Sequence, residues 1–184
     1  MENFYHGTTK LFNKFDLKHV LEGTGKVKFG YGVYFTSSYE SAAHYSAGDG
    51  EHHYVYSVKI PKLTENNFIA FKQEVNSNLV KLAEQLTNTT LNSKVTSDGK
   101  EFRKFLVNYF DKKNVLNGEK LTSQWLSNNG IDYIIWPYNW KVGYQGTTNR
   151  CLLDESKIII TQVDEVVLDE KKHLKEIIKS NVNI

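Results

Sequence analysis

The rhythm of apolar and polar positions changes three times along the chain. Residues 3–9, "NFYHGTT", form a short apolar run that stops at a Gly-Thr-Thr turn, which predicts a strand. "YGVYFTS" at 31–37 alternates, placing Val33 and Phe35 on one face and Tyr34 on the other. Ser37 is followed three residues later by Glu40, the spacing of a capping box, so "SYESAAHYSA" is expected to be a helix. "HHYVYSVKIPKL" at 52–63 alternates again, with Tyr54, Tyr56, Val58 and Ile60 sharing one face of a strand. Pro61 ends that strand, as Pro137 ends a later one. The connecting "FNKFDLKHVLEGTGKV" predicts a loop or short helix closed by Gly23 and Gly25.

From about residue 64 to 127 the period lengthens. "NSNLVKLAEQL" and "EFRKFLVNYF" carry apolar residues at three- and four-residue intervals, the pattern of amphipathic helices, with the polar "TNTTLNSKVTSDGK" as a loop between them. A third helix, "GEKLTSQWLSNNG", stops at Gly130, a natural residue just past a helix end. "IDYIIW" and "RCLLDESKIIITQVDEVV" return to strand character, and the terminal "LDEKKHLKEIIKSN" predicts a charged, partly exposed helix. No internal repeat appears. The fold class is therefore α+β, a single domain over 1–184 with a helical insertion at 64–127.

Composition narrows this picture only modestly. The 184 residues, 40% of them hydrophobic, suffice for one domain with a sizeable core and are short for two. Lys plus Arg total 23 against 21 acids, a net charge of +2, which neither predicts nor excludes nucleic acid as a partner. Cys151 stands alone, so no intramolecular disulfide and no cysteine-based zinc site is possible; it reads as a small buried hydrophobe. The opening "MENFYHGTTK" has no apolar run of signal-peptide type, and no stretch of ~18 apolar residues occurs. The expectation is a protein without a membrane partner that works in a reducing, cytoplasmic setting, its own cell's or a target cell's. His52 and His53 adjoin Glu51, but neighbours on a strand point to opposite faces and make a poor metal pair, so no metal is expected. Gly23 and Gly25 lack the lysine and serine of a phosphate loop.

The candidate chemistry sits near the N-terminus. His6 ends a strand immediately before Gly7, Thr8 and Thr9. A glycine there lets a ligand approach the backbone N–H and C=O, the donor and acceptor that match a carboxamide. Gly30 and Gly32 flank Tyr31, a pattern that also fits a β-bulge. Tyr34 on the strand and Tyr45 on the helix are placed to face each other and clamp a flat ring, a geometry that contributes roughly 0.5–1.5 kcal/mol beyond burial. Ser41 and Ala42 are small residues that leave room for it. Histidine and both phenols are expected to converge on one pocket.

In combination, "FYHGTT" (4–9) and "FGYGVYFTSSYESAAHY" (29–45) resemble the ADP-ribosyltransferase superfamily, and more closely its diphtheria-toxin and poly(ADP-ribose)-polymerase-like branch with a His-Tyr-Glu triad. The resemblance implies a split fold of two small, mostly antiparallel sheets with a cleft for NAD+, the co-substrate, between them. It implies His6 and Tyr34 as the first two triad members, His6 on the nicotinamide ribose, and Gly7 pairing with the carboxamide. Tyr45 becomes the second stacking ring, in an NAD+ site made of His6, Gly7, Thr8, Tyr34, Phe35, Ser41, Ala42 and Tyr45. "WLSNNGIDYIIW" and "NRCLLDESKIII" resemble the family's later elements and place Asn149 where the catalytic glutamate belongs. Asn149 retains a hydrogen bond to a ribose hydroxyl but no charge. Slow or mono-transfer chemistry, binding without turnover, and an alternative acid at Asp154 or Glu155 all remain open, although the family pattern makes Asp154 structural. Arg150 is expected to face away from Asn149. The loop "YNWKVGYQGTTN" offers Trp140, Tyr144 and Gln145 for acceptor recognition. The implied activity is mono-ADP-ribosyl transfer from NAD+ to a protein or nucleic acid, in the manner of bacterial toxins, effectors or phage proteins. The alternatives are an NAD+ glycohydrolase and a non-catalytic NAD+- or ADP-ribose-binding or inhibitor module. The histidine and arginine set of RNA 2′-phosphate removal is missing.

Overall fold

A computed structural model describes residues 1–20, 27–113 and 117–184, so the proposed closing glycines Gly23 and Gly25 lie outside the described residues. Eight strands form a sheet among those residues: β1 (Glu2–Thr8), β2 (Val33–Thr36), β3 (His53–Ile60), β4 (Phe68–Ala70), β5 (Tyr133–Pro137), β6 (Thr148–Leu152), β7 (Ile159–Leu168) and β8 (Leu174–Lys179). Their order is β4-β5-β6-β2-β1-β3-β7-β8, and every pair is antiparallel except β4 with β5. The sheet is nearly cut in two. β1 follows β3 from Glu2↔Ile60 to Thr8↔Tyr54, whereas it meets β2 only at Tyr5↔Thr36. The two expected sheets are thus joined by a single rung, and β1 runs on past its neighbour.

Register assigns the faces. Tyr34 and Thr36 lie opposite Cys151 and Asn149 of β6, which in turn lie opposite Ile134 and Trp136 of β5. Paired residues share a face, so these six point one way, towards the helical segment. Val33, Phe35 and Leu152 point the other way, into a second core with Phe4, Tyr56 and Val58.

The helices are α1 (Tyr39–Tyr45), α2 (Ser77–Thr87), α3 (Ser93–Thr96), α4 (Gly99–Lys113) and α5 (Gly118–Asn128). Leu79 and Ala83 of α2, Phe102 and Leu106 of α4, and Leu126 of α5 bury their apolar stripes against Ile134, Trp136 and Cys151. The buried Arg103 on α4 pairs with Glu119 on α5 and donates to the Lys28 carbonyl (3.2 Å), while Ser123 accepts from the Tyr31 N–H (3.1 Å). The insertion therefore holds the glycine-rich segment before β2 in place. Two additions interrupt the expected run of helix and loop at 64–127. β4 pairs in parallel with β5, and α3, capped by Asn92, lies within the stretch expected to be loop.

The C-terminal helix expected over 168–181 is a hairpin instead. Asp169 accepts hydrogen bonds from the N–H groups of Lys171 (2.9 Å) and His173 (2.8 Å), and Lys172 adopts a left-handed φ of 64°. An aspartate turn of this kind reverses the chain. Ile177 and Ile178, β-branched and adjacent, then favour a strand on β7 over a helix.

The start of α1 also differs by one residue. Ser38, not Ser37, is the N-cap and accepts from the Ser41 N–H (3.1 Å). Ser37 instead continues the ladder, donating its N–H to the Thr148 carbonyl (3.1 Å) and accepting from the Thr148 N–H through Oγ (3.2 Å).

Candidate functional site

A cleft of about 1360 Å³ opens where β1 and β2 part. It is bordered by His6, Gly7 and Thr8 from β1, by Tyr34 and Phe35 from β2, by Ala42 and Tyr45 from α1, and by Asn149 from β6. The gap follows from the single-rung joint, since two strands that remained paired would leave no room between them.

His6 lies on the same face as Phe35, its ring edge-on to Phe15 (5.2 Å) and Phe35 (5.9 Å). Nδ1 is 2.8 Å from the Tyr34 carbonyl, which can only accept, so Nδ1 carries the proton and Nε2 in the neutral ring is an acceptor. Burial lowers the His6 pKa, opposed by the Tyr34 carbonyl, which favours the charged form. The folded value thus lies below the ordinary 6.5, and between the two the unfolded chain binds more protons. Stability from this group is present above about 6.5 and is lost as the pH falls towards the folded value. His6→Asn is expected to flatten the dependence of the denaturation midpoint on pH across that window, as chemical denaturation on either side of it will show.

The N-terminal loop covers His6. Phe12 stacks on Tyr56 (4.5 Å, 13°), and the Tyr56 hydroxyl accepts from the Phe12 N–H (2.7 Å) while donating to the Phe12 carbonyl (2.9 Å). Lys10, Lys14 and Lys28 line the cleft, as do Asp16 and Asp49.

Tyr34, Tyr45 and Asn149 occupy the opposite face. The Tyr34 hydroxyl donates to the Gly30 carbonyl (2.8 Å) and accepts from the Phe29 N–H (3.2 Å), with Gly30 at a φ of 126° that favours glycine. Its ring is edge-on to Trp136 (5.6 Å), which stacks flat on Phe29 (4.1 Å, 6°). Burial, with Cys151 adding, pushes the Tyr34 phenol far up, so it remains a neutral hydrogen-bonding group. Tyr45 is 56% exposed and edge-on to Tyr138 (6.5 Å), with burial pushing its phenol up and the nearby Asn149 side chain opposing that shift. Asn149 is only 5% exposed, yet its Oδ1 has no donor among the described residues. A buried amide oxygen without a partner costs on the order of 1–3 kcal/mol, and a hydroxyl entering the cleft would satisfy it.

Gly7 is demanded by packing. A Cβ there would lie 1.8 Å from the Ala42 carbonyl oxygen, so the missing side chain is what allows α1 to seat on β1.

A family model described as ADP-ribosyltransferase in polyvalent proteins matches residues 2–183. The chain belongs to this family. Enzymes of the ADP-ribosyltransferase class take NAD+ as substrate. No curated protein and no solved structure matches the chain significantly.

Within this ADP-ribosyltransferase domain, the residues singled out in the sequence divide into three groups. His6, Gly7, Thr8, Tyr34, Phe35, Ala42, Tyr45 and Asn149 border one cleft, although His6 and Phe35 face one side of the sheet and Tyr34 and Asn149 the other. Phe35 is 2% exposed and serves mainly as the floor beneath His6. Ser41 is half-buried, engaged with Ser38 through its N–H, and does not border the cleft. Trp140, Tyr144 and Gln145 lie on the β5–β6 loop outside the lining, with Tyr144 anchored by its hydroxyl to the carbonyls of Phe71 (2.8 Å) and Ile135 (3.1 Å).

The acids considered as substitutes lie elsewhere. Asp154 is past the far end of β6 from Asn149 and caps a 3₁₀ turn, its carboxyl held low by Ser156, while Glu155 accepts from the Leu17 N–H (3.4 Å). Arg150 faces away, paired with Glu2 (2.7 Å) and stacked over Phe4 (4.1 Å). Phe15, Phe29 and Trp136 line the cleft without having been singled out. The register signal for Trp136, its position opposite Asn149, becomes visible only once β5 and β6 are paired. No group of three or more metal-ligating side chains occurs among the described residues, and none of their helices is long and apolar enough to cross a membrane.

Proposed function

We propose that the protein transfers a single ADP-ribose from NAD+ to a macromolecular acceptor and releases nicotinamide, as a His-Tyr-Glu-type enzyme with asparagine in the third position. The observation that carries this reading is the unpartnered Asn149 oxygen, buried beside Tyr45 on the face where Tyr34 also points. That arrangement supports a nicotinamide between the two phenol rings, its carboxamide on the Gly7 backbone, and a ribose hydroxyl donating to Asn149. His6, across the gap and protonated on Nδ1, offers Nε2 as an acceptor for a ribose hydroxyl on the other side of the dinucleotide. This division between faces refines the expectation of a single pocket shared by histidine and phenols.

In the transfer, the C1′–N bond breaks and its electron pair leaves with nicotinamide. An acceptor atom then bonds to C1′ and gives up its proton. The ribose passes through an oxocarbenium-like state, for which an amide oxygen is a weaker electrostatic partner than a carboxylate. The lack of charge at Asn149 also favours a second reading, a module that binds NAD+ or ADP-ribose without turnover. By resemblance, the setting is a toxin, effector or phage protein acting in the cytoplasm of its own or a target cell, and Trp140, Tyr144 and Gln145 face the acceptor.

Incubation with NAD+ labelled in the adenylate moiety, in a cell lysate, tests the reading. Label is expected on macromolecules, and His6→Ala is expected to reduce it by about 10²-fold or more, the cost of misplacing a reactive group by an ångström. Full transfer by His6→Ala would refute the site. Free ADP-ribose without labelled macromolecules would identify a glycohydrolase, and NAD+ binding without nicotinamide release would identify the inert module.

A further inference from the structure

Beside the cleft, on the Asn149 face, aromatic rings reach solvent. Tyr45, Tyr138 and Trp140 are 56%, 46% and 44% exposed, and the first of them is both a cleft residue and a ring neighbour of the second. Large rings are rarely left exposed side by side without a binding role. The loop that carries Tyr138 and Trp140 is held in shape. Tyr138 donates its N–H to the Thr147 carbonyl (2.9 Å), Gly143 donates to the Asn139 carbonyl (2.9 Å), and the Tyr144 hydroxyl pins the loop to the sheet. Rings on such a support lose little freedom when a partner stacks on them.

Charge separates the possible partners. Between Tyr133 and Leu153 the sequence contains no aspartate or glutamate. Lys141 is exposed on the loop, and the Lys72 ammonium lies 4.6 Å from the Trp140 ring centroid. Asp98, the acid in contact with Lys72, is occupied as an acceptor for the N–H groups of Lys72 (2.9 Å) and Lys100 (2.8 Å). Across the cleft, Lys10, Lys14, Lys18 and Lys28 outnumber the acids of the lining, Asp16 and Asp49. Exposed rings on a loop that bears lysine and has no carboxylate of its own form a stacking platform for the bases of a single strand, whose phosphates the lysines meet.

We infer that the acceptor is a single-stranded nucleic acid seated on Tyr45, Tyr138 and Trp140, with one nucleotide delivered to the cleft beside Asn149. The inference deepens the proposed transferase reading and rests on it for the chemistry. A base or sugar atom of the strand forms the new bond to C1′ of the ribose as nicotinamide leaves with its electron pair, and that atom releases its proton to solvent. The platform itself is testable without any turnover.

Fluorescence anisotropy of labelled oligothymidylate and oligouridylate, without NAD+, is expected to show binding that weakens as salt rises. Trp140→Ala is expected to weaken it by about five-fold or more, Trp140→Phe to restore most of it, and Lys72→Gln to reduce its salt dependence. The thermal midpoints of these surface variants should match the parent. No binding at low salt would overturn the inference, as would equal affinity in Trp140→Ala, or displacement of the strand by polyglutamate as readily as by unlabelled strand. Labelled NAD+ offered with single strands and lysate proteins together should mark the strands; label on protein alone would also overturn it. A strand that binds through Trp140 while calorimetry detects no NAD+ binding would support the platform and sink the transferase reading instead.

Discussion

Nicotinamide release is expected to rise by about 10²–10³-fold when Asn149 is replaced by glutamate, the size of effect that one well-placed electrostatic contact contributes. The side chain at 149 is buried, lies on the face shared with Tyr34, and ends in an oxygen that no donor among the described residues satisfies. A carboxylate from that position would meet the sugar as it gains positive charge, whereas the amide oxygen offers only a dipole. The benefit arises in the transition state, so kcat should rise while the Kd for NAD+ stays nearly constant. Chromatographic measurement of free nicotinamide, with calorimetry for Kd, checks both parts. An unchanged or reduced rate in a variant that still binds NAD+ would show that position 149 does not face the reacting carbon.

The second large effect is on stability. Gly7→Ala is expected to destabilise the protein by about 3 kcal/mol or more, because the added carbon falls on helix backbone that cannot rotate aside. With the new Cβ only 1.8 Å from the Ala42 carbonyl oxygen, α1 must move as a body and carry Tyr45 with it. For a chain of this size that corresponds to a fall in Tm of ~6–12 °C, with loss of NAD+ binding as the stacking ring departs. Gly48→Ala is a suitable control, since its Cβ meets only the Thr9 side chain, with the methyl nearest at 3.2 Å, and a side chain can yield. Calorimetric melting of the two variants beside the parent decides the matter. Equal Tm values would mean that α1 does not rest on β1 as described.

Much of this architecture is legible in the residues. The alternation of Val33, Tyr34 and Phe35 fixes the faces of β2, and the three- and four-residue spacing of "NSNLVKLAEQL" and "EFRKFLVNYF" fixes α2 and α4. A glycine at a strand end pointed to close approach of a ligand at Gly7, and the structure adds a second reason for glycine there, the backbone of α1. Elements decided by tertiary pairing were not legible. The charged repeat of "LDEKKHLKEIIK" imitates a helix, and only the Asp169 turn and the open side of β7 convert it into a strand. Ser37 and Ser38 are equally good caps by type, and the choice falls to Ser38 because β6 engages its neighbour. The placement of His6 and Tyr34 on opposite faces depends on the register at Tyr5↔Thr36, which periodicity within either strand alone does not specify.

That lone rung has a mechanical meaning. The strands that join the two halves of the sheet share one register pair, and the halves are otherwise tied by the core in which Val33, Phe35 and Leu152 meet Phe4, Tyr56 and Val58 across the joint. A molecule lying across the gap adds a second tie between the halves where the ladder is missing, and whatever free energy it gains there also resists their twisting apart. Occupancy of the gap and torsional stiffness of the whole domain are therefore two readings of one quantity.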